Sequence, residues 1–553
     1  MEQISSSTKG ENCVALADAT HDGSHGESLS RSLVPILLAT LIFSSLSLWG
    51  AMTSKGFLEA DSCTHYLYAR FAVGELHYLV NVWGRPLVTG IYAIPAALAG
   101  RMGVRVTSLF LALLIAFVAF RVAKLLKLRH PALAFIFVLA QPLVFLHSFS
   151  ELTELPFAAC LSLALWSYCR RQYLTMTILA ALLPLARPEG FLFLILAGLA
   201  LLAHRRWWWI ALIPLPLLIW DYAGWRLYGR PEYSDPLNNH LPHALRWLLW
   251  LKHEWPYAQE SAYARGSIFH FVGVLPAIVG PLIFPALVVG IQRCCRMTNF
   301  RSQIANPRFL IAVIPLSILS AHSLLYALGK MASNGEPRYM LVVALFWALL
   351  AAIGAEWIFG RLNLRHPYLL AGVLSLLPVT VHFIYPVLPL KLSEDWYRVA
   401  DVAKWYETSG IGRSHPRLLT SHPAFYYFLD VSPTNKGRVL EWRKETVAKA
   451  PPGTLLIWDY TYGSFNSDRN RIVTVEEILA AGWIEDADAE TELETPDDFR
   501  IFKSPRSMSP AVGQSDLNSH AQSHTEAKQC EQIKRVKEAE GLDFLHSRFS
   551  IQG

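Results

Sequence analysis

The sequence predicts an α-helical polytopic membrane protein with about eleven transmembrane helices and a small C-terminal α/β domain. Three observations carry this. Of 553 residues, 53% are hydrophobic and 17% charged, too few charges for an ordinary soluble domain. Between residues 33 and 390 the apolar residues come in runs, several of them roughly 18 residues or longer, the length of a bilayer crossing. The carboxylates and the basic clusters between those runs fall on opposite sides when the runs are numbered as alternating spans.

The elements follow in order. Residues 1–32 are polar and rich in Ser, Gly and His, and read as a disordered cytoplasmic N-terminus. They lack the basic-then-apolar order of a cleavable signal, so the first run is expected to stay as an anchor. Spans are expected near 33–52, 105–121, 131–148, 155–169, 173–187, 190–204, 207–223, 271–291, 309–328, 339–359 and 367–388. One set of loops carries Arg121, Lys124, Lys127 and Arg129, then Arg170 and Arg171, Arg205 and Arg206, Arg293 to Arg308, and Arg361 and Arg365, without an acid. The positive-inside rule makes these loops cytoplasmic. The opposite loops, 53–104, 149–154, 188–189, 224–270 and 329–338, are then extracytoplasmic. Trp207, Trp208 and Trp209 fit an interfacial aromatic belt. Loops 53–104 and 224–270 are long, and the second holds an apolar-faced stretch, Ala244 to Lys252, suited to lie in the membrane surface.

After residue 390 the composition turns polar. Residues 391–503 read as a soluble extracytoplasmic α/β domain: a helix over Asp395–Tyr406, strands at Arg417–Thr420 and Thr454–Trp458, a Thr-capped helix over Thr474–Gly482 and a last strand at Phe499–Phe502. Residues 504–553 read as a disordered tail. The net charge of +6 sits largely in short loops, which is topology and excludes a nucleic-acid stripe. The seven cysteines have no paired spacing, so no metal framework is expected; adjacent Cys294 and Cys295 read as inert thiols more readily than as a lipidation site.

Thirteen carboxylates interrupt residues 33–390, and all but Glu356 fall on the extracytoplasmic side. Ionisable groups at a membrane boundary are costly to keep, so their convergence marks a functional site. Glu59-Ala60-Asp61 follows the first span, and on a helix Asp61, His65 and Tyr68 would share a face. A carboxylate there can take a proton from an alcohol hydroxyl, although a solvated acid at a helix end is the simpler account. Glu151 and Glu154 lie in one tight turn before Pro156. Helix-start chemistry explains one of them; two would repel unless they share a cation, a metal or a substrate hydroxyl. Ala186-Arg187-Pro188-Glu189-Gly190 forms a hairpin whose Arg and Glu can simply pair. Gly335-Glu336-Pro337-Arg338-Tyr339 opens a late span and places Arg338 where a lipid phosphate would lie, or where an arginine snorkels to a head group. Arg265, just before the eighth span, is a further cation candidate beside the same phosphate, with His270 nearby, where a lone histidine is more often structural.

Taken together, over residues 33–390, these motifs resemble the GT-C superfamily of membrane glycosyltransferases, with the bacterial mannosyltransferase-like and protein-mannosyltransferase-like members as the nearest branch. The resemblance rests on the acid after the first span, the long first outer loop, the Ala-Arg-Pro-Glu-Gly hairpin and the Glu-Pro-Arg-Tyr start of a late span. It implies a polyprenyl-phosphate sugar (a mannose-like hexose or a pentose) as donor and a glycan, lipid or protein hydroxyl as acceptor. Asp61 becomes the expected catalytic base, supported by Glu59. Arg338 and Arg187, with Lys330 and Arg265, become the donor-phosphate ligands. His65, Glu151, Glu154, Glu189, His270, Glu336 and Tyr339 become substrate contacts. Many relatives carry two adjacent acids where this chain has Asp61 followed by Ser62. A divalent metal, Mg²⁺ or Mn²⁺, is therefore left open and no cofactor is required. The expected location is the bacterial inner membrane, with the site facing the periplasm. A secondary transporter is the rival reading, but it would place its ionisable groups near the midplane in two matching halves. A non-catalytic scaffold displaying residues 391–503 leaves the acids and arginines unexplained.

Overall fold

The computed structural model describes residues 25–54, 60–229, 265–295, 307–329, 335–362, 368, 389–392, 394–464, 472–493 and 499–504. Helix α1 (His25–Thr53) carries the first apolar run. Two short helices, α2 (Ala60–Phe71) and α3 (His77–Val80), fill the loop after it. Helix α4 (Pro86–Leu125) is much longer than the span expected at 105–121. Pro86 starts it inside the loop, because its fixed φ suits a first helical turn. A break at Ala99 and Gly100 then bends it, with Gly100 at φ +56, a conformation open to a residue without Cβ.

The expected span 131–148 is split into α5 (Ala132–Leu139) and α6 (Pro142–His147). Pro142 cannot continue the α5 ladder, and the Gln141 side chain between the two helices donates to the Ala344 carbonyl at 2.8 Å. Next come α7 (Glu154–Cys169), α8 (Tyr173–Leu182), α9 (Gly190–Ala203) and α10 (Leu215–Tyr228). At about 1.5 Å per residue each falls short of a hydrocarbon core about 30 Å thick. Helices α11 (His270–Val279) and α12 (Phe284–Cys295) meet at a 114° bend. Helix α13 (Pro307–Leu328) follows, and a 3₁₀ turn at Pro337–Val343 runs into α14 (Ala344–Leu362).

Among the described residues four helices are long and apolar enough to cross a membrane, or five if the bent pair is one span. Several apolar runs read as single crossings are thus broken or short, and the run at 367–388 lies outside the described residues except for Tyr368. The charge sorting is spatial. Arg308 donates to the Leu126 carbonyl and Glu356 accepts from the His130 amide at one end of the bundle, while Asp61, Glu151, Glu154, Glu189 and Glu336 gather at the other.

Helices α12 and α14 cross in direct backbone contact. A Cβ on Gly290 would stand 1.8 Å from the Leu350 carbonyl oxygen, and one on Gly354 the same distance from that of Ala286. Neither neighbour is a side chain that can swing away. Gly354→Ala is therefore expected to lower the thermal midpoint in detergent and the amount of protein in the membrane, at a cost of about 1–3 kcal/mol typical of overpacking. An unchanged midpoint would show that the two helices separate freely.

Beyond the bundle, strands β1 (Arg417–Thr420), β2 (Thr454–Asp459), β3 (Ile484–Glu485) and β4 (Phe499–Lys503) form one sheet in the order β1-β2-β4-β3. β1 and β2 are parallel and the other pairs antiparallel. Helix Val475–Ala480 opens with the Thr474 cap, reciprocated by Glu477. Side chains alternate across the strands. Leu456 and Trp458 face a small core with Trp442, Ile478 and Trp483. Leu455 and Ile457 face the other way, into a core continuous with that of the helical bundle. The sheet is thereby fastened to the bundle through its own hydrophobic face and through helix Glu394–Thr408 and the short helix Pro423–Phe428.

Candidate active site

Four segments distant in sequence bring their charged groups to one end of the bundle. Asp61 lies in the first turn of α2, where a carboxylate favours the helix dipole. Glu154 opens α7 for the same reason. Arg187 and Glu189 come from the hairpin between α8 and α9, and Glu336, Arg338 and Tyr339 from the start of the last described span. Pro337 at the first helical position fixes the direction in which that segment enters.

Arg338 is the hub. Its Nη2 donates to Asp61 Oδ2 at 3.2 Å, its Nε stands 3.7 Å from Glu154 Oε1, and it also contacts the Glu336 carboxylate. Arg187 is the second cation. Its Nη1 donates to Glu154 Oε1 at 2.7 Å and to Thr153 Oγ1 at 2.8 Å, and its Nη2 donates to Glu189 Oε1 at 2.8 Å. Both guanidinium groups face the Tyr339 ring, at 5.4 Å for Arg187 and 5.8 Å for Arg338. Glu154 is buried at 1% exposure, whereas the Asp61 side chain is 56% exposed. Asp61 is thus the site carboxylate that an incoming molecule can meet.

The electrostatics separate these acids. Crowding by protein atoms alone would raise the Asp61 carboxyl, but the Arg338 guanidinium holds it below the ordinary range. Burial likewise opposes charge on Glu189, and Arg187 with His322 overcomes it and keeps Glu189 ionised. Glu336 goes the other way: burial, reinforced by the Asp61 and Glu154 charges, pushes it up despite Arg338. His65, one turn beyond Asp61, is pushed down to about 4 by burial, against the pull of Asp61, and is a neutral imidazole at physiological pH.

Glu151 belongs to a separate cluster. It is fully buried, accepts from Arg105 Nε at 3.0 Å and from Ser62 Oγ at 3.0 Å, and Arg105 Nη1 donates to the Ala51 and Ser54 carbonyls. This group ties the end of α1 and the start of α2 to α4. Glu151 and Glu154 therefore meet different arginines, Arg105 for the first and Arg187 with Arg338 for the second. Ser62 spends its hydroxyl on Glu151. His270 Nε2 lies 2.7 Å from the Gly335 carbonyl oxygen and so holds the segment leading to Glu336. Arg265 lies against Gly329 at the end of α13. Glu59 and Lys330 lie outside the described residues.

Among the described residues no three His, Cys, Asp or Glu side chains converge as a metal-binding set. Asp61, Glu154 and Glu336 converge instead on a guanidinium, which already supplies the positive charge at their meeting point. These carboxylates fit Arg338 rather than a divalent ion.

No family model matches the chain, and no curated protein matches it. Solved structures do. ArnT from Cupriavidus metallidurans in the apo state aligns at a TM-score of 0.56 with 13% identity, over 86% of this chain and 98% of that one. The same protein bound to undecaprenyl phosphate aligns at 0.57, with the same identity and coverage. The chain has the fold of ArnT. The oligosaccharyltransferase of Archaeoglobus fulgidus, in complex with Zn and sulfate, aligns at 0.46 with 13% identity over 82% of this chain and 71% of that one, below the level at which a shared fold is read.

Within the ArnT fold, one site residue was missed by the sequence reading. His322, on α13, places Nε2 3.4 Å from Glu189 Oε1 and stacks on Tyr339, the rings 5.0 Å apart and inclined by 16°. Its signal was available: His322-Ser323 is a polar pair inside an apolar run, and an ionisable group there points to function by default.

Proposed function

We propose that this chain is an inverting glycosyltransferase that moves a sugar from a polyprenyl-phosphate donor to an acceptor hydroxyl at the extracytoplasmic face of a bacterial inner membrane. The observation that carries this reading is the Asp61–Arg338 pair: an exposed carboxylate beside a buried guanidinium, in a chain with the fold of a protein solved with undecaprenyl phosphate. The donor tail lies in the bilayer beside the spans, and its phosphate meets Arg338, with Arg187 behind it. Guanidinium groups suit phosphate oxygens because their planar fork can donate two hydrogen bonds at once.

Asp61 accepts the proton of the acceptor hydroxyl as that oxygen attacks the anomeric carbon. The bond from that carbon to the phosphate oxygen breaks, its electron pair leaves with the polyprenyl phosphate, and the new glycosidic bond has inverted configuration. A phosphate leaving group needs little protonation, so charge stabilisation by Arg338 and Arg187 is the main assistance at that end. Arg338 serves both partners. With the site empty it holds Asp61 ionised; a donor phosphate competes for the same fork and loosens that hold, making Asp61 a stronger base as substrate arrives. The other acids, Glu154, Glu189 and Glu336, keep the two arginines aimed, with His65, His270 and Tyr339 lining the approach.

The test is sugar transfer in membranes containing this chain, with a panel of radiolabelled polyprenyl-phosphate hexoses and pentoses and native acceptors. Transfer from one donor class, absent from membranes without the chain, is the expected result. No transfer from any donor by folded protein, together with proton-coupled uptake of a solute, would move the assignment to a transporter.

A further inference from the structure

We propose that the C-terminal unit positions the catalytic base, with Asp430 and Arg70 as the latch that sets helix α2. The proposal rests on the glycosyltransferase reading of Asp61. Helix α2 is short and carries Asp61 in its first turn and Arg70 in its last. Arg70 lies nine positions after Asp61, about 14 Å along one rigid rod. Any rotation or slide at Arg70 is therefore transmitted to Asp61.

Asp430 follows the helix Pro423–Phe428 and grips Arg70 with both oxygens. Arg70 Nε donates to Oδ1 at 3.2 Å and Oδ2 at 3.1 Å, and Nη2 donates to Oδ2 at 2.9 Å. Tyr66, one turn earlier on α2, donates its hydroxyl to Asp430 Oδ1 at 3.0 Å and sets its ring edge against Tyr427 at 5.0 Å. The far side of the Arg70 fork is fixed as well: Nη1 donates to the Ala96 and Ala97 carbonyls at 3.1 and 2.9 Å, just before the break in α4. A second tie lies beside the first, where the Tyr78 hydroxyl meets Ser432 at 3.0 Å and Thr434 at 2.7 Å, and Thr434 donates to Glu75.

Two details argue for more than surface docking. Asp430 holds a positive φ of 47°, a conformation uncommon for residues other than glycine and tolerated best by Asn and Asp. That turn aims its carboxylate at α2. The opposite end of α2 is held by Ser62 on Glu151, so the helix is pinned at both ends with Asp61 beside one pin and Asp430 at the other. An acceptor hydroxyl, the base and the anomeric carbon must align closely, and a displacement of about 1 Å can cost about 10²-fold in rate.

The experiment uses the full chain in membranes. Asp430→Asn keeps the turn conformation and the side-chain shape but removes the charge. It is expected to lower kcat about tenfold or more, leave KM for the donor within about twofold, and leave the thermal midpoint unchanged. The same substitution placed on Asp61→Asn is expected to have no further effect on residual transfer, because a latch that acts through Asp61 has nothing left to align. Amide hydrogen exchange over residues 60–71 is expected to quicken in Asp430→Asn. Unchanged kcat, or an equal loss in both backgrounds, overturns the positioning role. Were the wild type inert with every donor, the reading of the site would fail by itself, and unchanged exchange in α2 would still sink the latch.

Discussion

Asp61→Asn is expected to lower kcat by about 10²- to 10⁴-fold, the usual effect of losing a positioned base. Asn has the same shape, and its carbonyl oxygen can still accept from Arg338, so the pair keeps its geometry while the proton acceptor is lost. The site already holds the Glu154, Glu189 and Glu336 carboxylates against two arginines, so removing the exposed acid leaves no buried cation without partners. Membrane level and thermal midpoint are therefore expected to match the wild type. The pH profile gives a second check. A base works in its ionised form, and Arg338 holds Asp61 ionised below the ordinary carboxylate range. Wild-type kcat/KM, which reports the free enzyme, should then persist as pH falls through that range and decline only below it, whereas kcat at saturating donor should decline at a higher pH because the donor phosphate has loosened Arg338's hold; both declines should vanish in the variant. Initial rates at saturating donor decide the matter; near-wild-type transfer by Asp61→Asn would remove Asp61 from the mechanism.

The composition of the site was legible because charge is conspicuous against apolar sequence. Asp61, Arg187, Glu189, Glu336 and Arg338 each interrupt or border a hydrophobic run, and the cost of leaving such groups unpaired singles them out. Their partners were not legible. Arg338 and Asp61 are 277 residues apart, and nothing local in either motif names the other. Glu151 and Glu154 show how proximity in sequence misleads: three residues apart, they face different arginines because the chain turns into α7 between them. His322 escaped because a single histidine on an apolar helix is commonly structural, and its significance lies in its stack on Tyr339 and its approach to Glu189.

The helices show the same division. Apolar runs located the bundle, since a buried or lipid-facing helix needs hydrophobic residues all round. They did not tell a crossing from a broken or short helix, because the residues that break them, Pro142 and the Ala99–Gly100 pair, look unremarkable in composition. In the C-terminal unit, strand alternation and the Thr474 cap are local signals, and the strands and the cap lie where those signals stand. That one face of this sheet joins the core of the bundle, and that Asp430 reaches Arg70 from 360 residues away, are tertiary facts that no local pattern carries.

Arg187→Ala is expected to be the most damaging substitution for stability. Arg187 is the group between two buried carboxylates, with side-chain exposures of 12% for Arg187, 1% for Glu154 and 12% for Glu189. Truncation leaves those acids facing each other, with Arg338 at 3.7 Å as the remaining cation near Glu154 and His322 at 3.4 Å near Glu189. Removing one partner of a buried pair typically costs about 3–5 kcal/mol, most of it the penalty of the charge left behind. The thermal midpoint in detergent reads that loss, and transfer assayed well below it reads the separate loss of a cation behind the donor phosphate. Arg187→Lys is expected to fall between, because an ammonium carries the charge but cannot span Glu154, Glu189 and Thr153 with one planar fork. The double variant Arg187→Ala/Glu189→Ala separates the two effects. It removes one orphaned acid with its partner and should recover part of the midpoint without recovering transfer, since the cation is still missing. Recovery of both would make Arg187 a purely structural counter-ion; recovery of neither would place its value in the contact with Tyr339 rather than in the carboxylates.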